Sequence, residues 1–431
     1  MNLSELCQST PLVHGQLTYC SNIHPGESWP EIKSNLDRYI PEISRELPAT
    51  SRFGIGLRLS AEATKALADP DTLADFCQYL QQQNVYVFTI NGFPYGPFHG
   101  TRVKEDVYLP DWKDPERLRY TNQIADVFAE FLPADVTGSI STVPGAFKAC
   151  VSGEDDIKLM AQHMVSHVAH LVELQRSRGV SINLALEPEP CCFLETIDES
   201  VDFFTRYLFS DDSIAQLSTA VNVDSTEALA LLKKHLTLCL DLCHAAVEFE
   251  DAEACISKLR KADINIGKMQ ISAGLRLDNV NAQTAEILKP FDDNVYLHQV
   301  IEKHGDQVNR YKDLPDAFAN LNNGTGDSVQ TNVVEPIATE PSAKESSATP
   351  LHREWRVHFH VPIFLDDLGD FSSTQFFIRE ILAMHKQTPI SDHLEVETYT
   401  WNVLPEKYRQ QSMSTAIARE LNWVVDQLSQ S

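Results

Sequence analysis

One stretch carries side chains that are costly to bury and chemically useful once buried. In Leu236-Thr-Leu-Cys-Leu-Asp-Leu-Cys-His244, an apolar run from Leu236 to Leu240 ends in a carboxylate, Asp241, and an imidazole, His244. The run is too short for a helix and reads as a buried parallel strand whose C-terminal tip is polar. A divalent cation is a common compensation for an Asp-x-x-His pair at such a tip. Taken alone, the pair is better read as a capping Asp and a hydrogen-bonded core His.

Similar tips recur along the chain. Ser181–Leu186 runs into Glu187-Pro-Glu189-Pro, where the prolines hold the chain extended. Asn265–Ile271 carries Gln270 near its end, and Trp355–Pro362 alternates His358 and His360 onto one face. A last strand, His393–Trp401, puts Glu395 and Glu397 on a shared face. Glu187 and Glu189 compete for one position, as do Glu395 and Glu397. Together these carboxylate, amide and imidazole groups suit a divalent metal (Mn, Zn, Mg or Fe), and no thiolate set argues specifically for zinc.

The elements that must position these groups are repeated βα units. Gly15–Asn22, Phe53–Leu59, Val85–Asn91 and Val136–Ser141 are short strands separated by amphipathic stretches, such as a helix from Asp114 to Phe131. Glu154–Arg178 has one apolar stripe at helical spacing. His163 and His167 on it read as a solvated polar flank, because the glutamate of the zinc-protease motif is missing between them. Val295–Ile301 and Gln307–Tyr311 read as a hairpin followed by a helix over Leu314–Leu321, and a further helix spans Ser373–Lys386. Counting every extended run gives more strands than the eight of a closed barrel, so the His-x-His segment is expected to be an accessory strand at the mouth. The expected fold is a single (β/α)8 TIM barrel over residues 1–431, with a disordered surface insertion at 322–352. That segment is dominated by small and polar residues and has no aromatic side chain.

Composition narrows the function. A formal net charge of -26 repels nucleic acid and anionic membrane surfaces. No apolar run approaches the ~18 residues of a membrane span. Nine scattered cysteines with no Cys-x-x-Cys pair, and no basic-then-apolar leader, read as free thiols in a reducing cytoplasm. The expected partner is a small-molecule metabolite, with pathway proteins as further candidates. His24 sits in the first strand-to-helix loop, and Asn91-Gly-Phe-Pro-Tyr-Gly-Pro-Phe-His99 forms an aromatic loop suited to stacking on sugar rings. His24, Asn91, Phe93, His99 and Trp401 are therefore the expected substrate-binding residues.

The order Glu, Asp-x-x-His, Gln, His-x-His, Glu resembles the xylose-isomerase-like TIM barrels, which include sugar isomerases, ketose 3-epimerases and the endonuclease IV family. The words Tyr19-Cys-Ser-Asn-Ile-His-Pro-Gly-Glu-Ser-Trp29, Cys239-Leu-Asp-Leu-Cys-His244, Val357-His-Phe-His-Val-Pro362 and Val396-Glu-Thr-Tyr-Thr-Trp401 are similar to EboE-type metabolite traffic proteins of that superfamily. The resemblance implies that Glu187, Asp241, Gln270 and Glu397 ligate a metal. Glu187 and Glu397 would double as an acid/base pair, and His244 would bind a substrate oxygen or the metal. His358 and His360 occupy the place of a second metal's ligands, and Gln270 departs from the histidine that several relatives carry. The implied activity is metal-assisted isomerisation or epimerisation of a sugar, sugar phosphate or polyol. Hydrolysis of a small phosphoester and non-catalytic metabolite binding are the alternatives.

Overall fold

The computed structural model describes residues 1–3, 15–48, 52–97, 99–100, 104–292, 295–322, 352–402, 404–406 and 409–429. Residues 323–351 of the expected insertion, and Phe98 of the aromatic loop, lie outside that set. In chain order the strands are β1 Gln16–Tyr19, β2 Phe53–Arg58, β3 Val85–Asn91, β4 Gly138–Thr142, β5 Ile182–Leu186, β6 Leu236–Asp241 and β7 Ile266–Ile271. There follow β8 Ala273–Leu277, β9 Val300–His304, β10 Gln307–Tyr311, β11 Arg353–Val361, β12 Ser372–Ser373 and β13 His393–Val396.

Strands β1 to β7 and β13 form one parallel sheet in the order β1-β13-β7-β6-β5-β4-β3-β2. A parallel bridge between Cys20 and Gly56 brings its two edges together, so the sheet curls into a (β/α)8 barrel. Gly56 is required at this closure. A Cβ there would lie 2.0 Å from the Glu395 carboxylate and 2.7 Å from the Tyr19 carbonyl. Strands β2 to β6 are buried along their whole length, as expected when helices cover one face and packed side chains fill the other.

The helices start where their sequence says they should. Ser28 and Glu31 form a capping box at the head of Trp29–Glu46, whose buried stripe is Trp29, Ile32, Leu36, Ile40 and Ile43. Asp69 and Asp114 cap helices that open with proline at the first helical position. No helix among the described residues is long and apolar enough to cross a membrane.

The unit between β7 and β13 departs from a simple βα repeat. It contains a second, antiparallel sheet in the order β10-β9-β11-β8-β12, which accounts for the surplus strands. Strand β8 gives no separate sequence signal because only Ser272 divides it from β7. The hairpin falls at Val300–Tyr311, and the last barrel strand ends at Val396, with Trp401 in a following 3-10 turn. His167 corrects the expected solvated flank: it is fully buried and its Nδ1 bonds Asn122 Oδ1 at 2.6 Å. The neighbouring helix supplies the polar partner that a helical wheel cannot reveal.

Two charged groups are locked inside the fold. Lys268 on β7 and Glu395 on β13 pair at 2.5 Å with no exposure on either side chain. Lys268→Met is expected to lower the free energy of unfolding by about 3–5 kcal/mol, since it strands a buried carboxylate. Lys268→Met/Glu395→Gln should recover most of that loss in the same urea titration. Glu420, on the helix Met413–Ser429, accepts from Thr398 Oγ1 at 2.7 Å and Ile363 N at 3.1 Å, and burial pushes its carboxyl up to about 7. A raised native pKa means that stability falls as pH climbs from the ordinary carboxylate range to about 7, where only the unfolded chain ionises. Glu420→Gln should therefore match the parent at pH 4 and unfold at a higher temperature at pH 8. The gain should be at most about 3 kcal/mol, and calorimetry at the two pH values checks it.

A candidate metal centre at the barrel mouth

Three elements deliver the polar groups. Asp241 ends β6 and caps the short helix Leu242–Val247: its Oδ1 accepts from His244 N at 2.9 Å and Ser272 Oγ at 2.7 Å. Its Oδ2 is buried and has no hydrogen-bond partner among the described residues. Glu187 follows β5, with its N–H on Thr142 O at 3.2 Å, and its Oε2 is likewise buried and unpartnered. His358 and His360 come from β11 of the second sheet, both buried.

The three imidazoles share one hydrogen-bonding logic. His244 Nδ1 lies 2.8 Å from Pro188 O, His358 Nδ1 lies 2.8 Å from Gln299 Oε1, and His360 Nδ1 lies 2.8 Å from Glu397 O. A carbonyl oxygen only accepts, so each Nδ1 carries a hydrogen, and a ring that is neutral then keeps its lone pair on Nε2. Those lone pairs converge. His244 Nε2 and His358 Nε2 are 3.0 Å apart, Tyr399 Oη lies 3.4 Å from His358 Nε2, and His360 Nε2 has no hydrogen-bond partner among the described residues. Ligand atoms of His244, His358 and His360 all lie within 4.8 Å of one another, as do those of Glu187, Asp241 and His244, and those of Asp241, Cys243 and His360.

The electrostatics follow from burial and crowding. Burial and the neighbouring His244, His360 and His298 hold His358 well below the usual imidazole range, and burial takes His360 down to about 4. Burial also opposes charge on His244, yet Asp241, Glu189 and Glu187 together raise it. Burial lifts Glu187 to about 8, and burial with the charges of Glu187 and Asp241 lifts Glu397 well above the carboxylate range. Asp241 is lowered: burial would raise it, but His244, His360 and its two donors prevail.

Beside this cluster lies a pocket with ≈ 530 Å³ of unfilled space, part of it open to solvent. Glu187, Glu189, His244, His358 and Glu397 line its polar side; Phe93, Tyr108, Leu297 and Tyr399 line the other. Glu397 Oε1 accepts from Asn22 Nδ2 at 2.7 Å and Asn91 Nδ2 at 3.2 Å. Glu189 Oε1 accepts from Tyr108 Oη at 2.7 Å. Lys104, the one cation of the lining, pairs with Asp313 at 2.7 Å.

Of the expected substrate residues, Asn91 and Phe93 line the pocket and His24, His99 and Trp401 do not. His24 stacks on Tyr39 and bonds Tyr19 Oη at 3.0 Å. His99 sits behind the wall, 2.7 Å from Tyr296 Oη, and Trp401 is packed in the core. Among the expected ligands, Gln270, Asp241 and His360 lie beneath the residues that line the pocket. Gln270 pairs in register with Asp241 and Glu395, and its Oε1 takes the Cys239 thiol at 3.1 Å. Asn22, Tyr108, Tyr296 and Gln299 were not singled out from sequence. Only Asn22 carried a signal there, as a polar residue at the first strand's tip.

No protein-family model matches the chain, and no curated protein matches it. Among solved structures it is similar to the IolI protein with a bound zinc atom, at 12% identity and a TM-score of 0.43, covering 96% of this chain and 98% of that one. It is also similar to a xylose isomerase-like TIM barrel protein from Mycobacterium smegmatis in complex with magnesium, at 11% identity and a TM-score of 0.47, covering 96% and 97%. A third is a xylose isomerase domain protein from Planctomyces limnophilus, at 12% identity and a TM-score of 0.46, covering 90% and 91%. At such identities and scores, the fold assignment rests on the chain's own strand topology.

The donor set fits a divalent cation: imidazole lone pairs and unpartnered carboxylate oxygens meet in a buried volume where an unbonded acceptor is costly. Asp241→Ala should lower the divalent-metal content of the purified protein, read by elemental analysis. In metal-free samples the same substitution should cost about 1 kcal/mol through the lost helix cap.

Proposed function

We propose that the chain is a divalent-metal-dependent isomerase or epimerase acting on a sugar, sugar phosphate or polyol in the pocket beside the centre. One observation supports this above all. Three imidazole Nε2 atoms gather with Asp241 Oδ2 and Glu187 Oε2, the two oxygens and His360 Nε2 having no hydrogen-bond partner among the described residues, at the edge of a pocket that two further carboxylates line; the Tyr399 hydroxyl lies 3.4 Å from His358 Nε2. Glu187, Asp241, His244, His358 and His360 would hold the ion, with Gln270 and Glu397 as the remaining candidates. A bound divalent ion supplies charge that polarises adjacent hydroxyl and carbonyl oxygens. The chain's own residues do the rest. Glu187 and Glu397 exchange a proton with a substrate carbon, and ionising one disfavours ionising the other, so the pair is suited to holding one proton between them. Asn22 and Asn91 fix the Glu397 carboxylate while it does so.

A second reading, metal-dependent hydrolysis of a small phosphoester, is favoured by the overlap of the three ligand groups through Asp241, His244 and His360, which suits more than one ion. Metal stoichiometry separates the two readings. The likeness of four sequence words to EboE-type proteins supports a place in metabolite traffic, with binding and no product as its signature. A cytoplasmic setting belongs to the same proposal, supported by the eight free cysteines among the described residues.

Metal-loaded protein in D2O should exchange a carbon-bound hydrogen of its substrate for deuterium, followed by NMR over a panel of ketoses, polyols and their phosphates. Glu187→Gln and Glu397→Gln should each slow that exchange by about 10²-fold or more while leaving the circular dichroism spectrum unchanged. Full exchange in either variant would remove that residue from the mechanism.

A further inference from the structure

We propose that Gln299 is a positioning residue for the metal: its side-chain amide dictates which nitrogen of His358 faces the centre, so the loop leading into β9 sets the ion affinity of a site shared between the barrel and the second sheet. The proposal rests on the metal-dependent reading above.

The orientation of the amide is fixed by what surrounds it. Gln299 is fully buried, and its Nε2 lies 3.2 Å from Pro190 O and 3.5 Å from Glu189 Oε1. Both are acceptors, so the nitrogen end of the amide must point there and the oxygen end must point at His358. An amide oxygen has no hydrogen to give. The 2.8 Å contact is therefore donated by His358 Nδ1, and the Nε2 lone pair is left toward His244 and His360. The main chain reinforces this, since His358 N donates to Gln299 O at 2.9 Å.

The other acceptor near His358 Nδ1 is Glu189 Oε1 at 3.5 Å, and that oxygen already takes the Tyr108 hydroxyl at 2.7 Å. Glu189 is therefore a weak substitute. Without the amide oxygen, the ring gains little by keeping its hydrogen on Nδ1, and the tautomer with Nε2–H presents a hydrogen where the ion must bind.

The test is a zinc titration of the metal-free, full-length protein in competition with a chromophoric chelator. Gln299→Leu is expected to bind zinc about 10–100-fold more weakly than the parent. A long-range proton–nitrogen NMR spectrum of the metal-free parent should show His358 protonated at Nδ1, the signal being assigned by its loss in His358→Gln. Zinc affinity in Gln299→Leu within about twofold of the parent, or a metal-free Gln299→Leu spectrum in which His358 keeps its hydrogen on Nδ1 as fully as the parent does, overturns the assignment. So does a parent spectrum with the His358 hydrogen on Nε2, a result that stands even if Gln299→Leu fails to fold. A parent that binds no zinc, manganese, magnesium or iron sinks the metal-dependent reading itself.

Discussion

Two neutral imidazoles do not rest with their lone pairs facing each other at 3.0 Å unless positive charge lies between or beside them. His244 and His358 are held in that relation because Pro188 O and Gln299 Oε1 each claim the Nδ1 hydrogen. A proton satisfies the constraint as well as a cation does. Of the three rings, His244 is the one whose charged form the surrounding Asp241, Glu189 and Glu187 favour against burial, so it is the natural bearer of that proton when no ion is bound. Proton and metal thus compete for the same ring nitrogens. The crowded carboxylates that would be repulsive alone are what make either cation welcome.

The segment Glu187-Pro188-Glu189-Pro190 is where the constraint is built. Its two acidic side chains line the pocket, while the carbonyls of the two prolines hold His244 directly and His358 through Gln299. Proline has no N–H, so neither residue can donate to a neighbouring strand, and the chain leaves the sheet in an extended form with its carbonyls available. Glu187 N still donates to Thr142 O, which anchors the exit to β4. A short word in the sequence therefore sets both the charge of the pocket and the orientation of two rings.

Much of this was legible because strand tips announce themselves. A buried apolar run that stops at a carboxylate or imidazole is informative whatever the tertiary fold, and the tips at Glu187, Asp241 and His358-x-His360 do converge. Asp241 also shows why the sequence left two readings open: Oδ1 caps the helix, while Oδ2 has no hydrogen-bond partner among the described residues. What escaped were the residues that matter through distant partners. Tyr108 reaches Glu189 and Gln299 reaches Pro190 across separations of 81 and 109 residues, and neither has a local pattern that betrays it. His24, His99 and Trp401 show the converse. A loop histidine or tip aromatic shows nothing of its contacts in sequence, and the Tyr39 ring on His24 and the Tyr296 hydroxyl on His99 emerge only in the fold.

The division of ligands between barrel and second sheet raises the question of whether an ion assembles the site or merely fills it. The packing favours the second answer. Helix Leu242–Val247, which carries His244, buries Cys243 and Val247 against Ile301 of β9, and Arg356 of β11 donates to Ala246 O at 2.6 Å. Strand β11 pairs with β8, which itself begins one residue beyond barrel strand β7. The sheet is thus held to this helix by apolar burial and by the Arg356 side chain on a main-chain carbonyl, neither of which involves a ligand atom. Binding energy from a cation then need not offset the ordering of the segment that carries His358 and His360, and it remains available for affinity.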